Sequence, residues 1–485
     1  MRSQLAVINA LKLEFEGSKD LIVHSFEYYD QEISLIYLQD LCDADKIKTD
    51  IIQPLMLCDK ESKFLLHLLS LSSCESIQNK RYLGEYIISG NVLIFISNGI
   101  YAFNAIRDMN TESEEASVET SVQGPQKAFS HDLSTNIALI RKRYPSNKLS
   151  IEYQTVGTIS KTKIAILFDS NYADQKVIDE VKSRLKRVKV DVIQAVGQLE
   201  RKLSDKKIHL FPTMMITERP DRTVLNLAQG KVAIVMDGTP FALSTPTVFF
   251  DFISSMDDLY HSFWIKKLLQ SIRYIALIIT LVLPAFYIAI TSYNPEILRS
   301  QLTLTIAGSR AGVPYPSFFE VLFMMLAVEM LVEASIRLPR VIGPTATTVG
   351  GLILGQAAQQ AQLVSSIMII IIAFVAISNF TVPISAMSFA IRCIRYPLII
   401  LATLFGLVGL VGGMLVLICY FANKRSFGTP FLAIEWGSSD KIETITENPK
   451  GGAKLVDPSL LLYCTANNDV KYHYQCTHDF NWRAF

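Results

Sequence analysis

The pattern of apolar and polar positions changes character near residue 265. Before that point apolar residues come in short runs broken by polar turns; after it they fuse into long, nearly uncharged stretches. In the first part, residues 162–169 (TKIAILFD) form a compact apolar run suited to a buried strand. A segment follows whose apolar positions Val177, Ile178, Val181, Leu185 and Val188 share one face at 3.6 spacing, which predicts an amphipathic helix. Residues 191–195 (DVIQA) fit a second strand, so this part reads as β-α-β and the soluble region as α/β. Residues 91–103 read as two strands around Ser97-Asn98-Gly99, and 231–236 with 239–243 as a hairpin closed by Asp237-Gly238. Residues 111–126 are polar and small, without an apolar period, and are expected to link two subdomains.

The second part predicts membrane helices. Residues 274–293 hold no charge and follow Lys266, Lys267 and Arg273, a spanning segment entered from a basic side. Further candidates are 345–364, with the GxxxG pair Gly351 and Gly355, 367–377, and 398–421 with Gly406, Gly409, Gly412 and Gly413; small residues of this kind let helices pack closely. Residues 317–338 form a fifth apolar segment that carries Glu320, Glu329, Glu333 and Arg337. Glu329, Glu333 and Arg337 recur every four residues along one face, and Arg340 lies just beyond Pro339. Ionised groups at membrane depth are costly and mark function, so the segment reads as lining a water-filled path; the competing reading is an interfacial helix with its charges among headgroups. Five spans, with the basic residues counted by side, put the N-terminal region in the cytoplasm and Lys424 and Arg425 outside. The expected organisation is 1–110 and 127–265 as soluble subdomains, 111–126 as linker, 266–425 as a helical membrane domain and 426–485 as a polar tail.

Composition sharpens this. Across 274–421 there is no Lys and no Asp, although the whole chain of 485 residues carries 46 Lys+Arg and 45 Asp+Glu. The net charge of +1 argues against nucleic-acid binding through a basic surface. Seven cysteines without regular spacing exclude a disulfide-built scaffold. No Walker-type G-x-x-x-x-G-K-[ST], no H-E-x-x-H, no G-x-S-x-G and no paired C-x-x-C appears, so no enzyme, cofactor or metal centre is expected. In the tail, Cys464, His473, Cys476 and His478 match no regular zinc spacing, and a Cys464–Cys476 disulfide is the stronger reading there.

Several short motifs together resemble a known family. They are Gly124-Pro125 with Phe129, residues 136–141 (NIALIR), 217–222 (TERPDR), 230–241 (GKVAIVMDGTPF), Phe319-Glu320, 336–340 (IRLPR) with Ile342-Gly343, 355–358 (GQAA), 388–392 (SFAIR), 395–397 (RYP) and 426–430 (SFGTP). Their order and spacing resemble the A subunit of spore germination receptors, the GerA family, over about 124–433. That resemblance implies a multi-pass protein of the inner spore membrane that responds to small nutrients. It implies a transporter-like B subunit and a lipoprotein C subunit as partners, and self-association into a cation conduit. Met324 and Met325 stand where the family pattern usually has an acidic or small residue, and 434–485 lacks the usual Pro-rich, basic ending.

The candidate site residues are therefore Glu320, Glu329, Glu333, Arg337 and Arg340 for ion passage, and Glu218, Arg219, Asp221 and Arg222 for coupling soluble region to membrane. For the second group a simple charged helix cap is the competing reading. Gly351, Gly355, Gly409 and Gly413 are assigned to helix packing. An accessory family member that amplifies germination, a secondary transporter and a membrane scaffold are the alternative functions.

Overall fold

The computed structural model describes residues 2–433 except 16, 29–30, 59–60, 97–98, 108–114, 120, 122, 205–209 and 339–341. The tail and its cysteines and histidines, Arg340, and the turn residues Ser97 and Asn98 lie outside the described residues.

Two five-stranded sheets build the soluble region, and every strand pair in them is antiparallel. The first contains β1 (Leu21–Tyr28), β2 (Gln31–Leu38), β3 (Cys74–Ile77), β4 (Asn91–Ile96) and β5 (Gly99–Asn104) in the order β1-β2-β4-β5-β3. The second contains β6 (Leu149–Val156), β7 (Thr162–Asp169), β8 (Met215–Thr217), β9 (Val232–Met236) and β10 (Ala242–Thr245) in the order β6-β7-β9-β10-β8. Alternation along the strands supplies two apolar faces per sheet. On the first sheet Leu35, Ile94, Ile96 and Phe103 face the helices α2 (Ala44–Ile47), α3 (Gln53–Leu57) and α4 (Glu61–Ser70). Its other face, through Ile36, Leu93 and Phe95, meets α1 (Arg2–Glu14) and α5 (Leu83–Ile88).

One helix joins the two halves. In α6 (Leu133–Arg143), Ala138 and Leu139 enter the core of the first sheet, while Ile137 and Ile140 enter that of the second. Arg141 follows on this helix and forms a bidentate pair with Asp20, 2.8 and 2.9 Å, with both side chains at most 1% exposed. The other face of the second sheet packs on α7 (Gln175–Arg187) and α8 (Val196–Leu203), and α9 (Pro220–Ala228) completes the layer beside α6. Val177, Ile178, Val181 and Leu185 are buried as their spacing predicts.

Two local expectations change. Residues 191–195 are not a strand: the carbonyls of Val190 and Asp191 accept Thr158, Ile159 and Ser160 N–H, so this backbone closes the β6–β7 turn instead of entering a sheet. Asp237-Gly238 does not close a two-residue hairpin. The register Ala242↔Val235 leaves a longer connection, where Asp237 accepts Leu133 N–H and Gly238, at φ +80°, donates to His131 O.

Six helices follow: α10 (Phe263–Ser292), α11 (Ser300–Arg310), α12 (Ser317–Arg337), α13 (Gly343–Gln360), α14 (Ser366–Asn379) and α15 (Ser385–Asn423). By length and composition α10 and α15 can each cross a membrane. α15 is not one rod. Gly406 takes φ +62° and ψ −140°, a conformation that glycine alone adopts readily, and the chain reverses there. A Cβ on Gly409 would lie 2.1 Å from Leu401 O, and one on Gly413 2.6 Å from Leu398 Cδ2. In a straight helix residues eight apart stand about 12 Å apart, so the limbs 385–405 and 407–423 lie side by side.

The reversal changes the expected path. Tyr293, just past α10, packs on Gly406, and Ser292 bonds Ser317 at the start of α12. The end of α12 meets the start of α13 where Gly343 approaches Ser335 O. Ser365, before α14, bonds Glu320 near the start of α12. Six limbs thus run alternately away from the soluble region and back. The last returns to it: Ser426 donates to Thr213 O at 2.6 Å and accepts from Thr247 N, and Phe427 joins the α7–α8 core. Lys424 and Arg425 therefore lie at the same end of the helical bundle as Lys266 and Lys267, whereas the expected five-segment path would leave them at the opposite end. The additional limb is 407–423, which an uninterrupted apolar run hid.

Candidate functional site

The TERPDR segment sits between β8 and α9 and is held from three directions. Pro220 occupies the first turn of α9, where its missing N–H costs nothing. Glu218 turns away from the helix and accepts the successive N–H groups of Val118 and Glu119, the latter at 2.7 Å. The Glu119 carboxyl in turn accepts Thr217 Oγ1 at 2.9 Å, and its burial raises its pKa. Residues 115–119, 121 and 123–127, read from sequence as part of a linker and its flank, are thus a strap tied to Glu218. Arg219 forms a fork with Asp221, 3.0 and 2.6 Å, and Tyr260 donates to the same carboxylate at 3.2 Å. Burial, followed by the charge of Asp221, pushes the Tyr260 phenol up to about 12.

Arg222 points the other way. It is buried and donates to the carbonyls of Asp251 and Ser254, 2.9 and 3.1 Å, in the short helical turns that precede α10. Burial lowers its pKa. The Asp251 carboxylate holds Val248 N and Lys231 Nζ at 2.9 and 2.8 Å. Four residues further on, Ser255 begins a capping box with Asp258, and Asp258 takes Arg273 of α10 at 2.5 Å. Ser121 of the strap bonds Asp257. Hydrogen bonds through side chains and the 251–258 backbone therefore connect Arg222 to α10. The sequence signal missed here was Ser255-Met-Asp-Asp258, an S-x-x-D box just before an apolar run.

A second junction forms where the last limb returns. Lys424 donates to Phe211 O and lies 5.0 to 5.8 Å from the ring centroids of Phe431, Phe211 and Tyr420. Arg184 of α7 stacks on Phe427 at 4.2 Å. Glu200 of α8 lies close enough to Lys424 to feel its charge, yet burial dominates and raises its pKa to about 7.

The carboxylates of α12 separate into three environments. Glu320 is buried: it accepts Ser365 N at 2.6 Å and Tyr287 Oη at 3.2 Å, with Arg310 Nε 3.6 Å away. Glu329 faces α15 and is shared by Arg392, at 3.0 Å, and Arg395. The two guanidiniums outnumber it, and Arg392 Nε, Arg395 Nε and Arg395 Nη1 have no hydrogen-bond partner. Only Glu333, paired with Arg337 at 2.7 Å, is exposed. Glu329 and Glu333 share a face as their spacing predicts, but Glu329 reaches Arg392 and Arg395 of α15 while Glu333 stays exposed. Among the described positions of α12, Phe319, Phe323, Leu326, Met330, Glu333, Ala334 and Arg337 are exposed, and all but Ala334 follow one stripe spaced 4-3-4-3-4. That is the spacing of a helix–helix seam. Of the glycines, Gly409 and Gly413 stand at close approaches, whereas Cβ atoms on Gly351 and Gly355 would make ordinary contacts of 3.9 and 3.8 Å.

Comparison with known proteins places this arrangement. Residues 9–442 match the family described as Bacillus/Clostridium GerA spore germination protein. Spore germination protein KA of Bacillus subtilis (strain 168) is 35% identical over 433 residues, 87% of this chain and 80% of that protein. Spore germination protein B1 of the same organism is 34% identical over 441 residues, 88% of this chain and 90% of that one. A crystal structure of the N-terminal domain of the A subunit of the Bacillus megaterium spore germinant receptor GerK3 aligns with 50% of this chain and 94% of its own, at 25% identity and a TM-score of 0.39. With its family match over nearly the whole length and relatives of this identity and coverage, the chain belongs to the GerA family of spore germination proteins.

Proposed function

We propose that this protein is the A-type subunit of a nutrient-responsive germinant receptor in the inner spore membrane. Its α/β region lies in the cytoplasm and its six limbs cross or enter the bilayer. It acts with a transporter-like B subunit and a lipoprotein C subunit, assembles with copies of itself, and passes cations when the complex is activated. The observation that carries this reading is the chain of hydrogen bonds from Arg222 to the backbone of Asp251 and Ser254, and from the adjoining Ser255 N–H through Asp258 to Arg273 on α10. A soluble region fastened so firmly to α10 can bias the packing of the bundle, which a tethered domain cannot.

Within one copy Glu320 and Glu329 are already engaged by internal partners. A cation path is therefore assigned to the space between copies, along the exposed stripe of α12 that ends in Glu333. Opening would be a population shift driven by nutrient binding to the complex.

The test is potassium release from spores that lack the gene, against a panel of single nutrients and with a complemented strain. Loss of release to one nutrient class, with surfactant responses kept, supports a receptor subunit. Uniformly slower release to every nutrient points instead to an accessory, amplifying member. Unchanged release from spores whose parent contains the protein refutes the receptor reading.

A further inference from the structure

At the end of the bundle far from the soluble region, α10, the turn after it and α11 line a small, half-open pocket. Its walls are Ile290, Pro295, Leu298, Ile306 and Ala307, with Thr291, Thr303 and Arg310 as the polar members. Its volume is about 130 Å³. Pockets for drug-sized ligands run from about 300 Å³ upward, so an occupant here has only a few heavy atoms.

The chemistry of the lining is one-sided. Thr291 and Thr303 give their hydroxyl hydrogens to backbone carbonyls, at 2.8 and 3.1 Å. No carboxylate lines the cavity. Arg310 carries five N–H donors, yet its hydrogen bonding is a single contact to Tyr315 O at 3.4 Å, and its Nε is buried without a hydrogen-bond partner. The nearest anion, Glu320, is 3.6 Å from that Nε, an ion pair too long for a hydrogen bond. Glu320 itself is engaged by Tyr287 and by the Ser365 N–H.

We infer that this cavity binds a short aliphatic monocarboxylate, with its carboxylate on Arg310 and its chain against Ile290, Leu298, Ile306 and Ala307. A guanidinium with spare donors recognises a carboxylate by two parallel hydrogen bonds, and the apolar walls favour an alkyl chain over a hydrated inorganic anion. An amine is excluded by the same positive charge. Because Arg310 also balances Glu320, an occupant that draws the guanidinium toward the cavity loosens its hold on the α10–α12–α14 contact. The inference does not depend on the conduit reading, since it concerns binding alone.

The experiment uses the full-length protein in lipid nanodiscs with butyrate as the probe, read by saturation-transfer NMR and by calorimetry, with n-butanol, butylamine and inorganic phosphate as competitors. Saturable butyrate binding is expected, displaced by neither n-butanol nor phosphate at equal concentration. Arg310→Gln should weaken it at least tenfold, and Ala307→Leu, which fills the cavity without touching the charge, should weaken it similarly. Ala307→Leu should keep the unfolding temperature of the parent, whereas Arg310→Gln, which leaves the buried Glu320 without its counter-charge, should lower it. If Arg310→Gln fails to fold, Ala307→Leu and the competitor series still decide. No butyrate binding, equal binding of n-butanol or phosphate, or butyrate affinity unchanged in Ala307→Leu would each overturn the assignment.

Discussion

Asp258→Asn tests whether the soluble region and the first membrane helix are coupled through one ion pair. Asp258 is 3% exposed and Arg273 14%, so water screens the pair little. Its carboxylate holds Arg273 Nη1 at 2.5 Å and Ser255 N at 3.0 Å, and the alternative acceptor for Arg273, Ile253 O, is 3.4 Å away. Removing one member of a buried pair costs about 3–5 kcal/mol, because the remaining charge stays desolvated. Asparagine keeps a neutral acceptor in place, which puts the expected loss near the lower end, about 3 kcal/mol, or roughly a hundredfold in the local opening equilibrium. Hydrogen exchange reads this directly: amides of 251–262 should exchange about a hundredfold faster, while those of β7 stay unchanged. A double-mutant cycle with Arg273→Gln should show coupling of about 2 kcal/mol. Unaltered exchange in 251–262, or single-mutant effects that add to within about 0.5 kcal/mol, would refute the junction as a coupled element.

Glu329→Gln should lower the amount of folded protein in the membrane, since it leaves Arg392 and Arg395 buried without a counter-charge at a cost of about 3–5 kcal/mol; Glu333→Gln should leave that amount unchanged and alter potassium release from spores. Normal release from well-expressed Glu333→Gln would remove this residue from the ion path. Gly409→Ala should destabilise by about 1–3 kcal/mol or more, because its methyl meets Leu401 O, whereas Gly412→Ala, with nothing within 4 Å, should be silent in thermal unfolding. Glu200 binds its proton more tightly when folded, because burial raises its pKa from 4.5 to about 7. Its contribution to stability therefore falls as pH rises from about 4.5 to 7 and levels off above that; Glu200→Gln should flatten this slope in unfolding curves taken across the window.

The strand and helix faces of the soluble region were legible because burial there follows local periods: Val177, Ile178, Val181 and Leu185 needed only 3.6 spacing. The membrane region was legible as a change of solvent, through the absence of Lys and Asp over 274–421. The family followed from motifs whose order survives even though each is short. Pairings between distant segments were not legible. No local pattern says that Glu329 meets Arg392 and Arg395, 63 and 66 residues away, or that Glu218 holds the strap at Val118 and Glu119. The direction of the last limb was hidden for the same reason: an apolar run has the same composition whether it continues or turns back. Only the left-handed backbone of Gly406, with Tyr293 packed on it and the Leu398–Gly413 approach, returned Ser426 to the soluble side. Sequence thus determined which residues leave water. Tertiary structure decided which charges meet once they have left it, because a desolvated charge takes the partner that the fold brings within reach, whatever its distance along the chain.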